Sequence, residues 1–189
     1  MSARESILKR LREVEVVGRD MPSLDSASIR FEDRVAHFVE VLHAVGGEVV
    51  EQSESLESTL AALLDDDEKL VSPLPELQGR AVNPDEVADV HELGGEYTAV
   101  VRGAIGVAEN GAVWVPVEGR RKAHLFACQH LVIVLDREKM VDTMEDAVAQ
   151  ISLDDIGYGV FISGPSKTAD IEQALVMGAH GAMKVTIIL

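Results

Sequence analysis

The sequence predicts an α/β protein with a mostly parallel sheet, arranged in three α/β/α layers. Amphipathic helical patterns alternate with short apolar runs along most of the 189 residues. One run, 130–136, is continuously apolar up to Asp136, which is typical of a strand buried on both faces. The last three patterns indicate strand, helix and strand, an order that usually forms a parallel crossover.

The first residues form a segment separate from the rest. Ile7, Leu8, Leu11 and Val14 recur at spacings of three and four, so a helix with one apolar stripe is expected over residues 3–14. Residues 16–26 contain glycine and proline and are interpreted as a linker. We therefore divide the chain into an N-terminal helix and linker, residues 1–26, and a main domain, residues 27–189.

Within the main domain, each element is assigned from the spacing of its apolar residues and from its turn signals. Helices are predicted over 30–44, 56–64, 84–90, 144–151 and 169–177, and strands over 48–51, 69–71, 97–102, 130–136, 158–163 and 185–189. The Asn-Gly pair at 110–111 lies between two β-rich runs, which indicates a hairpin turn.

Composition excludes several classes of protein. Asp and Glu outnumber Lys and Arg by 33 to 17, and a net charge of −16 disfavours nucleic acid as a partner. No apolar run approaches the ~20 residues that span a bilayer, and the first residues lack the apolar core of a secretory signal. Cys128 is the only cysteine, which suits a reducing compartment, so we expect a cytoplasmic protein.

The loop at 163–168 is the first candidate site. It runs from a predicted strand into a predicted helix, where free N–H groups and the helix dipole favour anions. Gly164, Ser166, Lys167 and Thr168 supply main-chain amides, hydroxyls and an ammonium, and Asp170 follows in the first turn. A small carboxylate or phosphate is the expected ligand. The alternative is that Thr168 only caps the helix and Lys167 is a solvated loop residue.

The hairpin turn is the second candidate. Glu109 is an acidic residue within an apolar run, so it either faces solvent or is held near a ligand. In the second case it is the candidate catalytic residue, as base or nucleophile. Asn110 and Gly111 complete the turn as candidate ligand contacts, although turn chemistry alone also explains both.

Three residues of types that bind metals occur close together. His124, Cys128 and His130 would share one face of an extended chain and could bind a soft divalent metal. Their spacing matches no known zinc motif, so we predict no metal site. His130, which borders the apolar run, is retained as a candidate ligand-binding residue.

Several of these segments together resemble a known family. The runs 162–172, 175–181 and 185–189 resemble the C-terminal signature of the LUD (lactate utilisation) domain family. Residues 106–113 resemble its second motif, in which Ala-Glu-Thr-Gly is the commoner form, so that Asn110 takes the place of threonine. The resemblance covers residues 29–189.

The resemblance implies a fold shared with sugar-phosphate isomerases and coenzyme A transferases. It also implies a role as accessory subunit, with separate iron–sulfur subunits, in oxidising L-lactate to pyruvate. This chain lacks the cysteine clusters that hold such cofactors, so the clusters belong to partner subunits and no cofactor is expected on the chain itself. One alternative is a stand-alone isomerase, transferase or ligase that uses Glu109. Another is an interaction module whose N-terminal helix docks on a partner.

Overall fold

A parallel five-stranded sheet lies at the centre of the computed structural model, which describes residues 3–14, 18, 29–65, 67–117, 119–152, 154, 157–171 and 174–189. Eleven strands occur in the described residues: β1 (Glu48–Val50), β2 (Leu70–Val71), β3 (Thr98–Arg102), β4 (Ile105–Val107), β5 (Ala112–Pro116), β6 (His130–Val134), β7 (Met140–Val141), β8 (Gly159–Ile162), β9 (Lys167–Ile171), β10 (Ala174–Met177) and β11 (Lys184–Ile188). The helices there are α1 (Ala3–Arg12), α2 (Arg34–Ala44), α3 (Leu56–Leu63), α4 (His124–Ala127) and α5 (Met144–Val148). Short 3₁₀ helices span Pro75–Leu77, Val90–Leu93 and Arg137–Lys139.

The central sheet has the order β1-β11-β6-β3-β2, and every neighbouring pair is parallel. Strand β6 lies in the middle, and all five of its residues are buried. This confirms the α/β class, the parallel sheet with flanking helices and the central position predicted for the apolar run.

A second sheet packs on one face of the first. Its order is β7-β4-β5-β8, with β4 and β8 both antiparallel to β5. The hairpin predicted around the Asn-Gly turn is confirmed as β4 and β5. The sequence pattern does not distinguish this sheet from the central one, because both are built from short apolar runs of similar length.

Alternation of side chains along the strands divides the core into layers. Val101, Ile133 and Ile187 face the second sheet and helix α2, within one large apolar cluster. On the other face, Val100 and Val132 pack with Leu60 of helix α3. Helix α5 covers the outer face of the second sheet, so the two sheets lie between α3 and α5.

The predicted closing crossover is wrong. Strand β8 belongs to the second sheet, antiparallel to β5, and does not pair with β11 in the central sheet. The helix predicted over 169–177 is also wrong, because the described residues 169–171 and 174–177 lie in the antiparallel strands β9 and β10. A short apolar run fits either period, and β-branched Thr168, Ile171 and Val176 favour the strand.

The helix predicted over residues 84–90 is wrong as well. Residues 84–86 form a turn, and a 3₁₀ helix follows at Val90–Leu93. The Asn83 side chain accepts a hydrogen bond from the Asp85 amide at 3.0 Å, a local bond that competes with helix formation. Asp89 caps the later 3₁₀ helix with its side chain.

The predicted N-terminal helix is present as α1. None of its residues is buried, and its apolar stripe, with Ile7 and Leu11, is exposed. Most of the predicted linker lies outside the described residues, so the boundary at residue 26 stays a prediction. Among the described residues, no helix combines the length and apolar character needed to cross a bilayer.

Candidate functional site

The turn at 109–111 connects β4 to β5 and packs against helix α2. The Asn110 side chain accepts a hydrogen bond from the Ala112 amide at 3.1 Å, which stabilises the turn locally. Gly111 has a φ of +63°, and a Cβ there would lie 3.0 Å from the Leu42 amide nitrogen. The position therefore requires glycine both for its backbone conformation and for its close approach to α2.

Glu109 is exposed, but its carboxylate has a main-chain partner. Oε2 accepts a hydrogen bond from the Met144 amide, at the first residue of α5, over 2.9 Å. The Glu109 amide donates to the Asp142 carbonyl oxygen at 2.9 Å. Glu109 thus joins the hairpin turn to the start of α5, which is sufficient to explain an acidic residue at this place.

The loop at 163–167 meets this turn. The Ser163 hydroxyl donates a hydrogen bond to the Asn110 carbonyl oxygen at 2.8 Å. The Lys167 ammonium donates to the Val45 carbonyl oxygen at the end of α2, where the helix dipole favours a cation. Gly164, with a φ of +69°, also approaches the Val45 carbonyl. We call this meeting of the turn, the loop and the end of α2 the junction.

The remaining residues of the predicted anion site lie along the β9–β10 hairpin. Ser166 donates its main-chain N–H to Ala182 and accepts from the Gly178 N–H, both at 2.9 Å. Thr168 and Asp170 lie within β9. Since no helix begins here, the predicted support from a helix N-terminus is wrong, and these residues stay candidate ligand contacts on their chemistry alone.

His130 lies in the central sheet, outside the turn and the loop that form the junction. It begins β6 opposite Thr98 and Lys184, at the amino-terminal edge of the central sheet. Its Nε2 is 2.8 Å from the Thr186 hydroxyl. Burial, together with nearby Lys184, lowers the pKa of His130 to about 4, against a weaker opposite effect of Glu68 and Glu48.

The shared strand face supposed for His124, Cys128 and His130 is wrong. His124 begins helix α4, which ends one residue before Cys128. Cys128 is buried in the main core cluster, and burial raises its pKa to about 11. The three side chains therefore do not follow one extended segment.

A large cavity lies at the other end of the second sheet. It measures about 810 Å³ and opens where β3 ends, beside Arg102 and Gly103. Ile105 and Trp114, a cross-strand pair at the base of the hairpin, form part of its apolar wall with Leu125. The carboxyl ends of parallel strands are the usual place for ligands in open α/β sheets.

Three basic side chains of this cavity retain unused hydrogen-bonding capacity. Arg121 Nη2 donates to the carbonyl oxygens of Val87 and Ala88, whereas its Nε is buried without a partner in the described residues. The His124 side chain is only 3% exposed, and its Nδ1 is likewise unpartnered there. Lys139 forms no ion pair with any described residue.

The protonation of His124 follows from its burial. Desolvation lowers the pKa of the ring, and the main chain of Arg121 and the Asp85 carboxylate oppose this only in part. The imidazole is therefore neutral near pH 7 and can donate one hydrogen bond and accept one. Buried polar atoms without partners are uncommon in folded proteins and call for an explanation.

This cavity cannot be predicted from the sequence because its walls come from distant segments. Pro73, Arg102, Trp114, His124 and Gln150 meet only through the packing of the two sheets. The basic run Arg120-Arg121-Lys122 was the one available signal, but it is equally typical of a solvated loop. His124 was considered only as a metal ligand.

The fold and the cavity together define an α/β domain with a ligand-sized pocket beside its parallel sheet. The sequence profile of the LUD domain family matches residues 57–189, which is more than half of the chain. The chain therefore belongs to the LUD domain family.

Two relatives add to this assignment. The chain is 34% identical to lactate utilization protein C of Oceanobacillus iheyensis over 94 residues, which are 45% of this chain and 40% of that protein. The match thus spans less than half the length of that relative. The crystal structure of a DUF162 family protein from Deinococcus radiodurans superposes with a TM-score of 0.63, covering 82% of this chain and 94% of the other. At 14% identity this second likeness concerns the fold alone.

Proposed function

We propose that this chain is a non-redox subunit of a lactate-utilisation system. In this proposal it acts in the cytoplasm with separate iron–sulfur subunits that oxidise L-lactate to pyruvate. The observation that carries the proposal is membership of the LUD domain family, supported by the similarity to a lactate utilization protein C.

The chemistry of the chain supports placing the redox steps elsewhere. Oxidation of L-lactate to pyruvate releases two electrons and two protons, so an electron acceptor is needed. Iron–sulfur clusters require several thiolates, and this chain has one cysteine, buried and with its pKa raised to about 11. The residues present do not fit a cluster, and the proposal assigns no cofactor to this chain.

Hydrogen bonding favours the cavity over the junction as the place for an anionic ligand. At the junction, Glu109 and Lys167 already bond to main-chain atoms. In the cavity, Arg121 and His124 have polar atoms without partners among the described residues. We therefore propose the cavity as the binding site, with Ser166, Thr168 and Asp170 as the alternative from sequence.

Growth and activity test the proposal separately. A strain that lacks the gene is expected to grow on glucose and to fail on L-lactate as sole carbon source, and the intact gene should restore growth. The purified chain should reduce no dye with L-lactate, whereas its complex with the iron–sulfur subunits should. Normal growth of the deletion strain on L-lactate, or lactate oxidation by the chain alone, would contradict the proposal.

A further inference from the structure

We infer that the cavity beside β3 binds an organic anion that is considerably larger than lactate and has an apolar body. The inference deepens the ligand-binding part of the proposed function. It rests on that function only for the assignment of the ligand to this cavity. It does not require that the chain belong to a lactate-oxidising complex.

The size of the cavity separates it from a lactate site. Lactate has six non-hydrogen atoms, and at the ~30 Å³ that a water molecule occupies in the liquid they need roughly 180 Å³. The cavity measures about 810 Å³, within the range of about 300–1,000 Å³ found for sites that enclose drug-sized ligands. A lactate molecule would leave most of this space to water and would contact few of the walls.

The walls indicate the body of the ligand. Trp114 and Ile105 present a cross-strand pair on one side, and Leu125 and Pro116 also line the space. Trp114 is held in place by Phe161, whose ring centroid lies 4.9 Å away. Aromatic and aliphatic walls of this kind favour an aromatic or branched aliphatic group, since its burial releases water from both surfaces.

The polar groups indicate the charge of the ligand. Arg121 and Lys139 are cations with hydrogen-bonding capacity that no described residue uses, and the Nδ1 atom of His124 also lacks a partner there. A carboxylate or phosphate accepts such bonds and pairs well with a guanidinium. A bound anion would give some of the unpartnered buried atoms a hydrogen-bond partner, which would add to the affinity.

The two carboxylates that line the cavity among the described residues are already engaged in hydrogen bonds. Asp85 accepts hydrogen bonds from the amides of Arg120 and Arg121 at 2.9 and 3.1 Å. Asp136 caps the short helix at Arg137–Lys139 through the Glu138 amide. Since these bonds stabilise both negative charges, Arg121 and Lys139 are left to attract an external anion.

Trp114 provides a readout within the site, because it is the only tryptophan of the chain and lines the cavity. We propose titrating its fluorescence with 3-phenylpropanoate, phenyl phosphate, L-lactate and the neutral 3-phenylpropanol. Saturable binding of at least one aromatic anion is expected, at least tenfold tighter than that of L-lactate and of the alcohol. The two anions distinguish a carboxylate ligand from a phosphate ligand.

Three variants in the cavity and one control outside it locate the binding. Arg121→Gln should weaken the aromatic anion at least tenfold, whereas Arg120→Gln, which removes the neighbouring charge outside the cavity lining, should change it less than twofold. Because Arg121 also anchors Val87 and Ala88, folding is checked by circular dichroism. If Arg121→Gln does not fold, Lys139→Gln and Ser152→Phe test the same cavity by removing a charge and filling space.

Several outcomes would overturn the inference. One is that neither aromatic anion binds. Another is that L-lactate or 3-phenylpropanol binds as tightly as the aromatic anions. A third is that binding of the aromatic anion is unchanged in every cavity variant that folds. These results are independent of growth on L-lactate. If an aromatic anion binds but deletion of the gene does not impair growth on L-lactate, only the lactate role is rejected. If the deletion impairs growth but no aromatic anion binds, only the cavity is rejected as the binding site.

Discussion

The Ser163 hydroxyl and the Asn110 carbonyl oxygen lie 2.8 Å apart, although 53 positions separate the two residues in the chain. This hydrogen bond joins the two segments on which the family resemblance rests. The end of helix α2 completes the contact through Val45 and Leu42. The two motifs thus contribute to one junction.

Gly111 supports the junction by its close approach to α2. Replacement by alanine should cost roughly 2–3 kcal/mol, because a positive φ strains alanine and the new Cβ meets the Leu42 main chain at 3.0–3.1 Å. Gly79→Ala is the matched control, with a φ of +86° and no atom within 4 Å, and should cost only about 1 kcal/mol. Urea unfolding measures the free energy of unfolding of both variants. Equal losses of stability would show that the contact of residue 111 with α2 has little effect.

Variants of Glu109 distinguish a structural role of this residue from a catalytic one. Glu109→Gln keeps an oxygen that can accept from the Met144 amide, so stability should fall by less than about 1 kcal/mol, whereas Glu109→Ala should cost about 1–2 kcal/mol. A deletion strain that carries the Glu109→Gln gene should still grow on L-lactate. Glu57→Gln and Glu57→Ala, in the first turn of α3, serve as controls. Loss of growth with Glu109→Gln at unchanged stability would instead favour an enzyme that uses this carboxylate.

The fold was predictable where local patterns and tertiary structure agree. The run from Leu131 to Leu135 is apolar throughout, so its central position followed from composition. The Asn-Gly turn specified the β4–β5 hairpin from two residues. By contrast, residues 169–177 fit a helix and a strand equally well, and only pairing between β9 and β10 decides between them.

The candidate sites were predictable only in part, for a geometric reason. Sequence order places Glu109 and Ser163 each at the end of a strand, but it does not show that they meet. The cavity depends still more on packing, since Arg121 and Trp114 lie on separate elements that only the arrangement of the two sheets brings together. Unpartnered buried atoms are a property of coordinates and leave no pattern in the sequence.

His130 should make the stability depend on pH. Its pKa is about 4 in the folded protein and about 6.5 in an unfolded chain, so the unfolded state binds a proton first as the pH falls. The contribution is complete above about pH 6.5 and declines toward pH 4. Between pH 7.5 and 5 it removes about 2 kcal/mol of the free energy of unfolding.

Urea unfolding at the two pH values measures this effect. His130→Gln can still bond to the Thr186 hydroxyl, and its loss of stability between pH 7.5 and 5 should be smaller by about that amount. His180→Gln is the control, since it removes an exposed histidine that lies outside the core clusters. The same pH dependence in His130→Gln and in the original protein would show that His130 does not cause it.

The β9–β10 hairpin can be distinguished from the predicted helix by cross-linking. Thr168 and Val176 are opposite each other in the antiparallel register, where Cα atoms lie about 4.5–5.5 Å apart, whereas in a helix eight residues span about 12 Å. The double variant Thr168→Cys with Val176→Cys should therefore form a disulfide under mild oxidation, detected by mass spectrometry as the loss of two hydrogen atoms. Thr168→Cys with Ile171→Cys is the matched control, because residues three apart are neighbours on a helix but about 10 Å apart along a strand. Cys128 is buried and should not compete. Cross-linking of the control pair without the first pair would restore the helix, and with it the anion-binding terminus predicted at Ser166 to Thr168.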